Sequence, residues 1–145
     1  MKQKSIIPQK LIILTALACS LTTTQAQTLQ AEKAFIKENM EFATKQYSLM
    51  MQTPAQGKNG KAIMPHSMRK DGTPSKGSIY LWTAGFFPGT LWYLSNYTGD
   101  KALQDSALVY THQMEPAKTF TDNHDIGFMM YCSYGNANRF APKDE

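Results

Sequence analysis

The residues that could carry chemistry are concentrated in one short segment. His124 and Asp125 stand side by side and precede an apolar run over residues 126–132. Near a substrate, such a carboxyl group can act as a general acid or base. The simpler interpretation is that Asp122 or Asp125 caps the following helix, because aspartate is a preferred N-cap residue, and spacing alone favours it. A functional site is favoured by the ionisable side chains that gather on this otherwise apolar element: His124, Asp125, Tyr131 and Tyr134.

A second group of candidates is aromatic: Trp82, Phe86, Phe87, Trp92 and Tyr93. Sugar rings stack on such side chains, but an aromatic stripe on a buried helix more often belongs to the core. We therefore expect Phe86, Phe87 and Trp92 to lie in the core. Trp82 precedes the helix and is the one expected to face a cavity.

Other classes of site have no support in the sequence. His66 and His112 have no histidine or cysteine near them at ligand spacing, so we predict no metal site and assign His66 no role. Glycine-rich phosphate loops, nucleophile elbows and paired-cysteine motifs are missing from the sequence. We accordingly expect no cofactor.

Four helical segments are predicted to position these residues, near 29–51, 86–97, 101–114 and 125–133. The first carries its apolar residues at helical spacing, including Ile36, Tyr47 and Met50. The first and third segments are amphipathic, whereas the second and fourth are apolar around their circumference and should be buried. This alternation predicts an all-α fold of antiparallel helical hairpins, the first part of a toroid. The side chains expected to be mostly buried are Phe86, Leu91, Trp92, Phe128 and Met129.

The boundaries of these segments rest on local signals. Gly99 should end the second helix, Asp100 should cap the third, and Asp122 should cap the fourth. Turns are expected at 71–74 and at Lys76-Gly77, after a short extended segment over 62–65. A loop is expected to begin at residue 134.

The charge balance of the chain depends on its first residues. The 145 residues include 15 Lys and Arg against 11 Asp and Glu, but Lys2, Lys4 and Lys10 precede the first acidic residue, Glu32. Without residues 1–26 the chain has twelve basic and eleven acidic residues and is nearly neutral. Nucleic-acid binding is therefore not predicted, because it needs clustered basic residues on a folded face.

Residues 1–26 are predicted to be a secretory signal peptide, with residues 27–145 as the mature chain. Basic residues precede an apolar run over 11–21, and cleavage is expected after Ala26. The run is shorter than the roughly 20 residues that span a bilayer, so no stable membrane span is predicted. We expect a periplasmic protein. The alternative is a lipoprotein anchored through Cys19.

Three stretches of the sequence resemble a known family. They are WTAGFFPGTLWYL at 82–94, YTGD at 97–100 and HDIGFMMYCSYGN at 124–136. In this order they resemble the amino-terminal part of glycoside hydrolase family 88, the unsaturated glucuronyl hydrolases, over roughly residues 30 to 140. The resemblance implies an (α/α)6 barrel and places Asp125 on one of two essential aspartates, with His124 and Trp82 in the substrate site. The implied partner is an oligosaccharide ending in an unsaturated uronic acid.

Two departures qualify what the resemblance implies. Pro65-His66-Ser67 differs from a common Pro-Arg-Ser or Pro-Arg-Thr pattern of the family. The second catalytic aspartate is expected beyond residue 145, with about two-thirds of the barrel. We therefore expect a truncated chain that is inactive alone. Two alternatives stay open: a secreted, non-catalytic carbohydrate-binding helical protein that uses Trp82 as a platform, and an unsaturated rhamnogalacturonyl hydrolase.

Overall fold

The structure is a computed structural model that describes residues 9–52, 61 and 63–143, with backbone alone for 9–26. It is mostly helical, as predicted. Its elements in chain order are α1 (Gln9–Met51), β1 (Ile63–Met68), β2 (Pro74–Ser78), α2 (Phe86–Thr98), α3 (Lys101–Gln113), a 3-10 segment (Glu115–Thr119), α4 (Ile126–Met130), a π-helical segment (Tyr131–Gly135) and α5 (Asn136–Phe140).

Helix α1 is longer than predicted, because it begins at Gln9 and not near residue 29. The chain forms two compact units, Met1–Asn39 and Met40–Glu145. None of the helices in the described ranges is long and apolar enough to cross a membrane. The basic residues Lys2 and Lys4 of the predicted signal peptide lie outside the described residues, and the side chain of Cys19 is not described.

The apolar stripe predicted for α1 is only partly buried. Near the end of the helix, Met50 is buried and Tyr47 stacks on Phe87 with ring centroids 5.2 Å apart. In the first unit, by contrast, Phe35 and Ile36 are exposed. The prediction is wrong for Ile36 because the described part of that unit is a single helix, which offers no second layer for packing.

A β-hairpin follows α1, and the sequence indicated only part of it. Strands β1 and β2 are antiparallel, and the turn between them is the predicted one: Asp71 Oδ1 accepts hydrogen bonds from the backbone N–H and hydroxyl of Thr73, and Gly72 has φ 80°. The turn expected at Lys76-Gly77 is wrong. Gly77 pairs with Met64 within the hairpin, and a Cβ there would lie 2.7 Å from Leu81 Cδ1. Gly77 therefore lies in a strand and packs closely against the end of the Leu81 side chain.

Helices α2 and α3 form an antiparallel hairpin whose predicted boundaries are confirmed. Gly99 ends α2 with φ 70°, and the Asp100 carboxylate accepts a hydrogen bond from the backbone N–H of Ala102 at 2.8 Å. Inside the hairpin, the indole Nε1–H of Trp92 donates to Thr111 Oγ1 at 2.9 Å. This buried bond satisfies the one polar atom of a tryptophan that has no exposed surface.

The core of the second unit lies between α2 and the elements that pack against it, which include β1, α3 and the π-helical segment. Leu91, Trp92 and Met129 are fully buried, as predicted, and Phe87 is also in the core. The other buried apolar side chains include Met64, Leu94, Leu103, Ala107, Tyr110 and Met114. The core is therefore built around α2, which carries most of one of the two longest stretches that resemble the family.

The fourth segment does not end where the sequence predicted. Instead of a loop from residue 134, the chain continues through the π-helical segment and α5 to Phe140. Two side chains bond to backbone carbonyls there: Ser133 Oγ donates to Met129 O at 2.8 Å, and Asn136 Nδ2 donates to Cys132 O at 2.9 Å. These local bonds offset the poorer backbone geometry of a π turn, which is why helix continues past the expected end.

Candidate active site

Asp125 occupies the N-cap position of α4, but its side chain makes no capping hydrogen bond. The Asn123 side chain stabilises the turn before this helix, because its Oδ1 accepts a hydrogen bond from the backbone N–H of Asp125 at 2.9 Å. The prediction that Asp122 caps this helix is therefore wrong. The simpler interpretation of Asp125 as a capping carboxylate also loses its support, because the carboxylate is not used for that purpose.

His124 and Asp125 are both accessible from solvent. The His124 side chain is 94% exposed, and its Nε2 lies 3.6 Å from Asp125 Oδ2, whose side chain is 35% exposed. Both groups are therefore accessible to a ligand. The two tyrosines of the same element do not join them: Tyr131 is exposed, and the Tyr134 hydroxyl donates to Glu115 Oε2 at 2.7 Å.

Three aromatic rings form an open cluster, consisting of Trp82, Phe86 and Phe128. The Phe86 and Phe128 rings meet edge to face at 5.1 Å, and Trp82 lies 6.0 Å from Phe86 and 6.5 Å from Phe128. All three are exposed, by 52%, 40% and 43% in chain order. The prediction of a buried Phe86 and a buried Phe128 is wrong, because the two rings pack on each other and on Trp82 instead of entering the core. Trp82 is exposed, and its expected position facing a cavity stays a prediction.

Close backbone contact joins α2 to the segment that begins at Asp125 and carries Phe128. A Cβ on Gly85 would lie 2.3 Å from Met129 O, and one on Gly89 would lie 2.4 Å from Cys132 O. Only glycine permits this approach. Asn123 adds a second link, because its Nδ2 donates to Tyr80 O at 3.4 Å.

Sequence reasoning missed His66 and the role of Phe128 in this site. His66 Nδ1 lies 3.0 Å from Thr83 Oγ1, directly beside Trp82, and no local pattern signals a contact across 17 positions. Phe128 lies in the predicted fourth segment, but His124 precedes the N-cap residue of α4, so helical spacing does not relate the two side chains.

The largest cavity described lies elsewhere, between α3 and the residues around α5. It has a volume of about 590 Å³, and its lining includes Leu108, Thr111, His112 and Tyr134. Burial, followed by the hydrogen bond to Glu115, raises the pKa of Tyr134, while Lys118 and then Tyr134 lower the pKa of Glu115. Trp82, His124 and Asp125 do not line this cavity. In the part of the chain that the structure describes, no three His, Cys, Asp or Glu side chains form a metal-binding group.

Comparison with known proteins gives two matches, although no family model matches the sequence. An unsaturated glucuronyl hydrolase of Formosa agariphila is 41% identical over 64 residues, which are 44% of this chain and 16% of that protein. A crystal structure of an unsaturated glucuronyl hydrolase specific for heparin matches with a TM-score of 0.61 and 40% identity, covering 72% of this chain and 27% of that one. The chain thus spans about a sixth and about a quarter of the lengths of these relatives.

These matches confirm the family resemblance over part of the length of the relatives. The helices of this chain correspond to part of an (α/α)6 barrel. Both relatives are glycoside hydrolases, so the non-catalytic carbohydrate-binding alternative and the rhamnogalacturonyl hydrolase alternative are not favoured. The matches do not test the roles of Trp82, His124 and Asp125, which stay predictions.

Proposed function

We propose that this chain is part of an unsaturated glucuronyl hydrolase that acts on oligosaccharides left by polysaccharide lyases. One observation carries the proposal: the match at 40% identity over 72% of the chain to an enzyme of that activity. The geometry around Asp125 supports it, because this accessible carboxylate has no capping role and precedes Phe128, a member of the open aromatic cluster, by three residues.

The proposed substrate ends in a uronic acid with a double bond between C4 and C5. That bond and the ring oxygen form a vinyl ether, so the reaction begins by hydration and not by attack at the anomeric carbon, as in an ordinary glycosidase. A proton adds to C4, and water adds its oxygen to C5 and releases a proton. The resulting hemiketal opens and releases the neighbouring sugar. Proton addition and hydration involve no change of redox state, so the proposal includes no cofactor.

The family resemblance supplies the proposed roles, and the position of each side chain is consistent with its role. Asp125 belongs to the pair of carboxyl groups that exchange the proton and position water, with its partner beyond residue 145. His124 donates a hydrogen bond to the substrate, since its exposed ring lies next to that carboxylate. Trp82 packs on the unsaturated ring, because half of its surface is open and its other contacts fix its orientation.

The test follows the ultraviolet absorbance of the double bond with several lyase-generated disaccharides, including products from heparin. It uses the reading frame that contains this sequence, extended to the length of the relatives. We expect the absorbance to fall as the terminal sugar is hydrated, whereas residues 27–145 alone should leave it unchanged. An extended protein that leaves every disaccharide intact would contradict the proposed function.

We also propose that the protein is exported to the periplasm and cleaved after Ala26. The basic start, the apolar run over 11–21 and the small residue at the cleavage position support this. Mass spectrometry of the protein purified from its source should give an N-terminus at Gln27. A protein that retains Met1, or one acylated at Cys19, would contradict cleavage at Ala26, and acylation would establish the lipoprotein alternative.

A further inference from the structure

We propose that His66 is a positioning residue that holds the Trp82 loop in place through Thr83. The proposal builds on the role given above to Trp82, but the contacts that carry it are independent of any substrate. The contacts join strand β1 to the loop that carries Trp82, across 17 positions of the sequence.

The backbone of β1 is irregular at His66. Pro65 pairs with Lys76 and Ser67 pairs with Ser75, so the register of the hairpin skips His66. Such an irregularity leaves one residue unpaired and redirects its side chain, and bulges of this kind are common beside active sites. The His66 ring consequently does not follow the alternation of the strand.

The redirected ring lies over Gly77 and reaches Thr83. A Cβ on Gly77 would lie 3.5 Å from His66 Cβ, and His66 Nδ1 is 3.0 Å from Thr83 Oγ1. The hydroxyl can donate to an unprotonated Nδ1 or accept from a protonated one, so the bond is compatible with either tautomer. The hairpin is thus joined to the residue next to Trp82.

This bond adds to other restraints on the loop before α2. Two backbone turn bonds shape the loop, and Asn123 links it to the fourth segment at Tyr80 O. The Trp82 ring itself contacts Phe86 and Phe128. The bond from His66 links the loop to the hairpin as well, and it therefore further limits the directions in which the exposed Trp82 ring can point.

The test measures Trp82 by acrylamide quenching of tryptophan fluorescence in the full chain. The chain has two tryptophans, and Trp92 has no exposed surface, so quenching reports mainly on Trp82. His66→Ala and Thr83→Val should each increase the quenching constant and shift emission to the red. The expected loss is roughly fivefold in the ratio of held to released loop conformations, equivalent to about 1 kcal/mol for one hydrogen bond. Phe128→Ala removes the stacking partner of Trp82, so its quenching constant is the reference for a disrupted aromatic cluster.

Two further variants separate positioning from a general effect on the hairpin. His66→Asn places a hydrogen-bonding atom near the position of Nδ1 and should restore the parental quenching. Ser67→Ala removes the neighbouring 2.6 Å bond to Ser75 without touching Thr83 and should leave quenching unchanged. Parental quenching in both His66→Ala and Thr83→Val, or an equal rise in Ser67→Ala, would overturn the proposal. Because no substrate is used, this outcome is independent of whether the protein hydrolyses unsaturated sugars.

Discussion

Replacing Asp125 by asparagine is expected to lower kcat of the extended hydrolase by about 10²- to 10⁴-fold, the usual contribution of general acid-base catalysis. Asparagine has nearly the same shape as aspartate but cannot exchange a proton. Folding should not change, since the Asp125 side chain makes no capping hydrogen bond that the substitution would remove. The measurement is the rate of absorbance loss with a saturating unsaturated disaccharide, beside a thermal melt of each protein.

The matched control is Asp122→Asn, an exposed aspartate three residues earlier that is not the N-cap residue of α4. It changes the charge of the same segment by the same amount and should keep parental turnover. If Asp125→Asn folds as the parent does and keeps near-parental turnover, Asp125 is not catalytic. An equal loss in both variants would mean that the charge of the segment matters and not the position of one carboxylate.

Substituting Gly89 by alanine should strongly lower the stability of the protein. The added Cβ would lie 2.4 Å from Cys132 O, a backbone atom that cannot rotate away as a flexible side chain could. Overpacking of a core costs about 1–3 kcal/mol, and contact with backbone places this variant at the upper end or beyond. Urea denaturation should therefore give a free energy of unfolding lower by about 3 kcal/mol.

Gly127→Ala is the control for helix propensity. Gly127 is also a helical glycine, but nothing lies within 4 Å of the Cβ that alanine would add. This variant should be neutral or more stable by up to about 1 kcal/mol, because alanine favours helix over glycine. A stable Gly89→Ala protein would show that α2 and the fourth segment do not approach as closely as described.

The elements that the sequence predicted well are those specified by local chemistry. Gly99 and Asp100 set the α2–α3 junction through a left-handed glycine and a capping carboxylate, both of which depend on adjacent residues. The Asp71 turn is local for the same reason. The extension to Phe140 was missed because a π turn has no distinctive local pattern, and Ser133 and Asn136 stabilise it through side-chain bonds.

The motifs indicated Asp125, His124 and Trp82 as candidate site residues, and their roles stay predictions. The packing of α2 on the segment after Asp125 could not be predicted, because it depends on Gly85 and Gly89 meeting backbone from a distant part of the sequence. Apolar periodicity also could not separate Phe86 from Phe87, because both are aromatic and adjacent. Phe87 points into the core, whereas Phe86 joins the exposed aromatic cluster.

The π-helical segment sets the rotational phase of the last helix. Each residue of an α-helix turns the chain by about 100°, and a π turn accommodates one additional residue in a turn. Deleting one residue from 131–135 would therefore restore continuous α geometry and leave the later side chains near their present directions. If the same residues instead formed an uninterrupted α-helix, Phe140 would turn by about 100° away from the ring of Tyr93, which lies 5.0 Å away. The segment therefore acts as an inserted residue, and an alignment of proteins with this helix should allow a one-residue gap there.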